Sequence, residues 1–276
     1  MILTRTENGL LVVRQPEHGH QTGLFAAQWG NDEVAAINSR RESIELASTH
    51  HDDGWATWEL HPTLDPSTNQ PVQFYSLTPR EHIPLYRAGI ARAAAIDPFA
   101  GILVSMHGAG LYNDRYGTFR LVDLDLNAEE QLLVREFLHD MEIFQSALAI
   151  GIGLASNLAS ESHISTNREV CDAYLRLQVW DRLSLQYVFR LAQDNVIGPL
   201  PVGDGTTTQL TCKNSGPFSL MLDPYPFQDN GAVFPIQAVT IADRQYKTPE
   251  DFLQAIRDAP TSTIECRAMR TSSGRK

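Results

Sequence analysis

The sequence is short of positive charge. Its 22 Lys and Arg are outnumbered by 33 Asp and Glu, a formal net charge of −11, which argues against a nucleic-acid backbone or an anionic membrane as the main partner. Cysteine is scarce too. Cys171, Cys212 and Cys266 are odd in number and far apart, so they make neither a disulfide framework nor a zinc knuckle, and reduced structural thiols are expected. No run approaches the ~18 apolar residues of a membrane span. The start, MILTRTENGLLVV, lacks a signal peptide's basic segment and small-residue cleavage site, so a cytoplasmic protein is expected. There is no P-loop, no nucleophile elbow and no cysteine with an evident base partner. GIG at residues 151–153 and GDG at residues 203–205 lack the full dinucleotide pattern and read as turns.

What is present is an ordinary globular composition, 42% hydrophobic, in a chain long enough for one large domain or two small ones. After a short strand in GLLVV, Pro16 opens a helix whose apolar side is Leu24, Phe25, Ala26, Ala27 and Trp29. His18 falls in its first turn, and His20 lies ~200° further round, so the two cannot share one inward direction. Residues 34–51 read as a second helix ending in His50-His51-Asp52-Asp53 and stopped by Gly54. Residues 59–78 are polar and rich in turn formers, a loop of the length that often serves as a lid. Helix resumes at Pro79, carrying His82, and stops at Asp97-Pro98. The apolar segment FAGILVSMHGAGLY follows and must be buried, so His107 within it needs a partner.

Asn127 caps a helix over residues 128–149 whose His139, Asp140 and Glu142 read as solvated, and Thr166 or Asn167 caps another running to about residue 193 with Asp181 inside it. From residue 198 the chain turns to Thr, Gly and Pro with β-type runs at 207–212, 218–222, 233–241 and 262–269, one amphipathic helix at 249–258, and a polar tail at 272–276. The expected organisation is therefore mostly α: a helical metal-binding domain over residues 1–197 with one short N-terminal strand, and a small β-rich C-terminal unit over residues 198–276 packed on it.

His18, His51, Asp52, His82, His107 and Asp181 are the candidate metal ligands, spread over successive predicted helices as in helix-bundle metal sites. Imidazole and carboxylate together suit divalent Zn, Fe or Mn, as one ion or two. Adjacent helical residues diverge by ~100°, so His51 and Asp52 can meet one metal only from a terminal turn, and Asp52 has two oxygens with which to bridge two. Asp53 and Asp65 are candidates for orienting ligand imidazoles, and Arg115 for taking an anionic substrate in its planar fork. Asp52, His107 and Arg115 are the candidate catalytic groups. Trp55, Tyr112 and Tyr116 either line the pocket or fill the core. The glycines flanking His107 read as room for approach.

The order of these residues resembles the HD-domain superfamily of helical metalloproteins. Its signature of a His, an adjacent His-Asp pair and a distal Asp is matched by His18, His51, Asp52 and Asp181, and His82 and His107 stand where dinuclear members add two histidines. The match spans residues 15–193 and implies an HD-like helical bundle. QPEH, HDDGW, SMHGAGLY, WDRLSL and LDPYPF are more closely similar to the bacterial domain-of-unknown-function family 3891. The HD resemblance implies a metal-dependent hydrolase of a phosphate ester or small phosphorylated compound. It also leaves open a di-iron oxygenase of a small polar substrate, like myo-inositol oxygenase and a related organophosphonate oxygenase, although Asp53-Gly54-Trp55 lacks the Lys that follows the glycine in the inositol enzyme. A non-catalytic metal- or ligand-binding protein is the third reading. In each case the expected partner is a small molecule, anionic ones included, rather than nucleic acid or membrane.

Overall fold

The chain begins with a β-hairpin. β1 (Ile2–Thr6) and β2 (Gly9–Val13) pair antiparallel, and the two-residue Glu7-Asn8 loop is followed by Gly9 at φ 127°, a conformation closed to side chains. The computed structural model describes residues 1–119, 125–155 and 163–271. The polar tail at 272–276 lies outside the described residues, as do residues 156–162 of the small-residue stretch before Asn167. After β2 come α1 (Gln15–Ala27), α2 (Arg41–His50), α3 (Trp55–Glu59), α4 (Pro79–Ile96), α5 (Pro98–Gly110), the left-handed turn α6 (Asp114–Gly117), α7 (Ala128–Gly151) and α8 (Arg168–Val188). The remainder is β3 (Asn195–Pro201), β4 (Thr207–Asn214), β5 (Ser219–Asp223), β6 (Ala232–Ile241), α9 (Pro249–Asp258) and β7 (Thr261–Arg270).

Among the described residues, all seven strands form one sheet in the order β1-β2-β6-β7-β5-β4-β3. Only β5 and β7 run parallel; the other neighbours are antiparallel. The fold is thus mixed α/β, and the expectation of a mostly α, HD-like bundle is corrected. β1 and β3 extend the sheet beyond the strands read from the sequence, and β2 joins the hairpin to the C-terminal strands by pairing Leu10 with Ile241. Such long-range pairing leaves no local trace. The expected division after residue 197 falls inside β3, and strands from either side of it are hydrogen-bonded in the same sheet.

Strand alternation buries both faces of the hairpin. Ile2, Leu11 and Val13 face the main core beneath the helices, whereas Leu3, Leu10 and Val12 join Tyr246, Phe252 and Ile256 under α9. The helices start where the sequence offers caps: Asn127 accepts from the Glu129 and Glu130 amides, both at 3.0 Å, and Asn167 from Val170 at 3.2 Å. α5 is buried from Phe99 to Gly110, so its apolar residues surround it completely, as a central helix requires. Its neighbour α4 reaches the turn after α2 because Gly54 and Gly89 meet there; a Cβ on Gly54 would lie 2.0 Å from the Leu85 carbonyl oxygen. Among the described residues, no helix is long and apolar enough to cross a membrane.

Candidate metal centre

Four segments deliver five of the candidate ligands to one buried point. His18 comes from α1, which Pro16 starts; His51 and Asp52 from the turn that ends α2; His107 from the last turn of α5; and Asp181 from the middle of α8. Their exposures are 1, 1, 5, 3 and 5% in that order. His18 Nε2 lies 3.0 Å from Asp181 Oδ1, His51 Nε2 3.6 Å from Asp52 Oδ2 and 3.8 Å from Asp181 Oδ1, and His107 Nε2 3.5 Å from Asp52 Oδ1. Neighbouring ligands of a tetrahedral ion with ~2.1 Å bonds stand ~3.4 Å apart, so the spacing suits a shared ion. Two triads meet the geometric requirement, His18 with His51 and Asp181, and His51 with Asp52 and His107.

Hydrogen bonds behind the ligands fix which nitrogens face inward. His51 Nδ1 donates to the Ser48 carbonyl at 2.8 Å, leaving Nε2 as the nitrogen turned toward Asp52 and Asp181. That atom is buried and has no hydrogen-bond partner. For His18 the constraint comes from the sheet. Gln21 Nε2 donates to the Phe234 carbonyl of β6 at 3.0 Å, so Gln21 Oε1 accepts from Ser184 Oγ at 2.7 Å. Ser184 Oγ, its proton committed, accepts from His18 Nδ1 at 2.7 Å. His18 Nε2 is thereby the ring nitrogen turned toward Asp181, whose Oδ1 lies at hydrogen-bonding distance, 3.0 Å. The Gln178 amide lies 3.3 Å from His107 Nδ1. Holding the outer ring nitrogen in this way is how metal-ligating imidazoles are oriented.

The electrostatics are those of a small, dry cage. Burial opposes a charge on His51, but Asp52 and Asp181 outweigh it and push the ring up to about 9. Burial likewise opposes charge on the carboxylates, and the histidines overcome it: His51 and His107 hold Asp52 well below the usual range, and His18 and His51 do the same for Asp181. His107 is pushed down by burial, only partly offset by Asp52. Tyr86 donates to Asp52 Oδ1 at 3.4 Å, and burial with the Asp52 charge keeps its hydroxyl protonated.

The other candidates are placed differently. His82 belongs to neither triad; its Nδ1 contacts the Tyr112 hydroxyl at 3.0 Å and its ring packs on Trp55 and Tyr86. Trp55 is in the core, whereas Tyr112 and Tyr116 are half-buried against it. Arg115 is buried in the left-handed turn and donates to the His107 carbonyl at 3.0 Å, which ties the guanidinium to the backbone of a candidate ligand. Asp53 holds His50 at 2.7 Å rather than a ligand, and Asp65 is spent on the Ser67 and Thr68 amides of its own turn. The glycines beside His107 make room for aromatic rings: Gly108 admits Tyr86 and Gly110 admits the Tyr174 hydroxyl. His139, Asp140 and Glu142 are exposed, as expected. Sequence reasoning missed Ser184, Gln178 and Gln21. The signal was a polar stripe, Gln178, Asp181 and Ser184 at three-residue intervals in an apolar helix, with Gln21 one turn beyond His18.

Residues 1–243 match the model of a family described as a protein of unknown function, DUF3891, and the chain belongs to that family. No curated protein and no solved structure matches it.

Proposed function

We propose that this chain is a metal-dependent hydrolase of a small phosphate ester, holding one divalent ion among His18, His51, Asp52 and Asp181 with His107 beside them. The reading is carried by His51 Nε2, a buried nitrogen turned between two carboxylates, both within 3.8 Å and neither in hydrogen-bond contact, so that the point calls for a cation. An unsatisfied buried group costs roughly 1–3 kcal/mol, and a cation at this point removes the cost. An imidazole nitrogen has one lone pair, and His51 serves both triads, so the triads describe one centre.

A Zn, Fe or Mn ion held there would supply Lewis acidity and lower the pKa of water toward ~7. The chain's own groups do the rest. Asp52 and Asp181 stay ionised and balance the cation, and Tyr86 stays protonated and orients Asp52. His107, kept neutral by burial and accepting from the Gln178 amide at Nδ1, turns its Nε2 proton toward Asp52. Arg115 is the cation placed to offset the net negative charge toward a phosphoryl oxygen. The order His, His-Asp, Asp along the chain resembles that of HD-type phosphohydrolases, and this resemblance of order, without one of fold, supports the choice of substrate.

Non-catalytic metal binding has one observation in its favour, the near-complete enclosure of all five donors. The di-iron oxygenase needs a second metal at His82, outside both triads. Protein stripped of metal and reconstituted separately with Zn, Mn and anaerobic Fe(II) distinguishes these readings through elemental analysis and a panel of phosphomonoesters and diesters. One ion per chain with turnover that His51→Ala abolishes is the expected result. One ion without turnover leaves only metal binding, two irons with O₂ consumption favour the oxygenase, and failure to retain any ion overturns all of them.

A further inference from the structure

α2 and α8 have a second common feature at their other ends. Both begin at a pocket of about 390 Å³ and run from it toward the metal centre, α2 to His51 and α8 to Asp181. Asn38, Ser39 and Ile44 border the pocket on the α2 side, and Arg168, Asp172 and Arg176 on α8. The last three are four residues apart and share one helix face.

Arg176 is the unusual member. It is 7% exposed, its Nε is sealed from water, and among the described residues it makes no hydrogen bond or ion pair. Leaving a buried charge uncompensated is strongly destabilising. The nearby acids compensate it only in part: Glu169 pairs with Arg40 at 3.3 Å, and Asp172, one turn before Arg176, supports its charge through space without an ion pair or hydrogen bond. The start of α2 points the same way. Arg40 there is left-handed, at φ 47°, and no side chain caps the first amides of the helix. Uncapped amides and the positive end of the helix dipole favour a negative group. Asp172 and the overall charge of −11 act against a multiply charged phosphate, while Asp172 has a carboxylate free to accept from a donor.

We infer that this pocket binds a small carboxylate that also carries an ammonium or hydroxyl group, of the amino-acid or hydroxy-acid kind. Arg176 takes the carboxylate in its planar fork and Asp172 accepts from the donor group. The site is separate from the metal centre and does not rest on the hydrolase reading.

The test is calorimetric titration of the full chain with the common amino acids and with lactate, glycerate and malate. Acetate and inorganic phosphate serve as probes of the anion alone. At least one panel member binds saturably, about tenfold or more tighter than acetate or phosphate. Arg176→Lys keeps the charge but loses the fork, and weakens that binding about tenfold or more. Asp172→Asn, at a half-exposed position that the fold tolerates, weakens it similarly, and His51→Ala leaves it unchanged. Circular dichroism melts separate loss of binding from loss of folding, and Asp172→Asn decides if Arg176→Lys does not fold. The proposal is overturned if no panel member binds saturably, if acetate or phosphate binds as tightly as the best of them, or if the folded variants bind like the parent.

Discussion

His51 and His82 are both histidines of the helical core, yet their surroundings drive them in opposite directions. His51 lies between two carboxylates and is pushed up to about 9 despite its burial. His82 lies among Trp55, Tyr86 and Tyr112, and burial, only partly offset by Asp52, takes it down to about 4. Burial alone makes a neutral imidazole satisfied by a hydroxyl. Burial beside paired carboxylates makes one that demands a cation, whether a proton or a metal. The difference separates the histidine of the candidate metal centre from an equally inconspicuous one outside it.

The sharpest way to break this contrast is to exchange the two roles. His51→Ala and Asp181→Ala should each weaken metal retention by more than about 100-fold, whereas His82→Phe should leave it within about threefold; elemental analysis after dialysis reads both. Comparable losses at His51 and His82 would dissolve the distinction. Ser184→Ala comes next. By releasing His18 Nδ1 it should lower metal affinity about 10–100-fold with little change in melting temperature, and ¹⁵N spectra of the His18 ring should show mixed tautomers.

Proton linkage gives a smaller effect whose sign differs between the two residues. In metal-free protein the folded state holds a proton on His51 more tightly than the unfolded chain, whose ordinary value is 6.5. The stabilisation is therefore complete below 6.5 and is lost as pH rises through about 9, by up to about 3 kcal/mol. Metal affinity should rise over the same interval, because the ion displaces that proton. His82 acts at the acid end. The unfolded chain protonates it below 6.5 and the folded chain only near 4, so stability falls as pH drops between these values. His82→Phe should flatten that limb in denaturant titrations. His139→Ala, at an exposed position, should alter neither metal content nor either limb.

Much of the site was legible because polar residues inside apolar segments are informative. His107 in an apolar helix and Asp181 in the apolar α8 each needed a partner, and they found Asp52 and His18. The angular argument that separated His18 from His20 also agrees with the structure, where His20 is exposed. His82 had a different warrant, since it was selected by its place in an ordered series, and order carries no information about distance. The helix caps at Asn127 and Asn167 and the strands at 207–270 could be read locally. The sheet could not: its continuity depends on β2 meeting β6, and its edges include β3, whose Gly198 and two prolines weaken any strand pattern. Ser184 and Gln21 were visible only as spacing, because nothing in a serine announces that its acceptor capacity will set a ring's tautomer.

The bond from Gln21 to the Phe234 carbonyl also bears on the order in which the molecule can form. Helices α1 to α8 can gather while the later strands are still emerging from the ribosome, and most donors can then already be close together. β6 does not yet exist at that stage, so the hairpin has an open edge and Gln21 has no fixed orientation. Pairings this distant are slow to close, and unpaired edges are the parts of a nascent chain most prone to aggregation. The tautomer of His18 is therefore set late, when the sheet is completed, and a chain stopped short of β6 would carry every proposed ligand without the contact that orients the first of them.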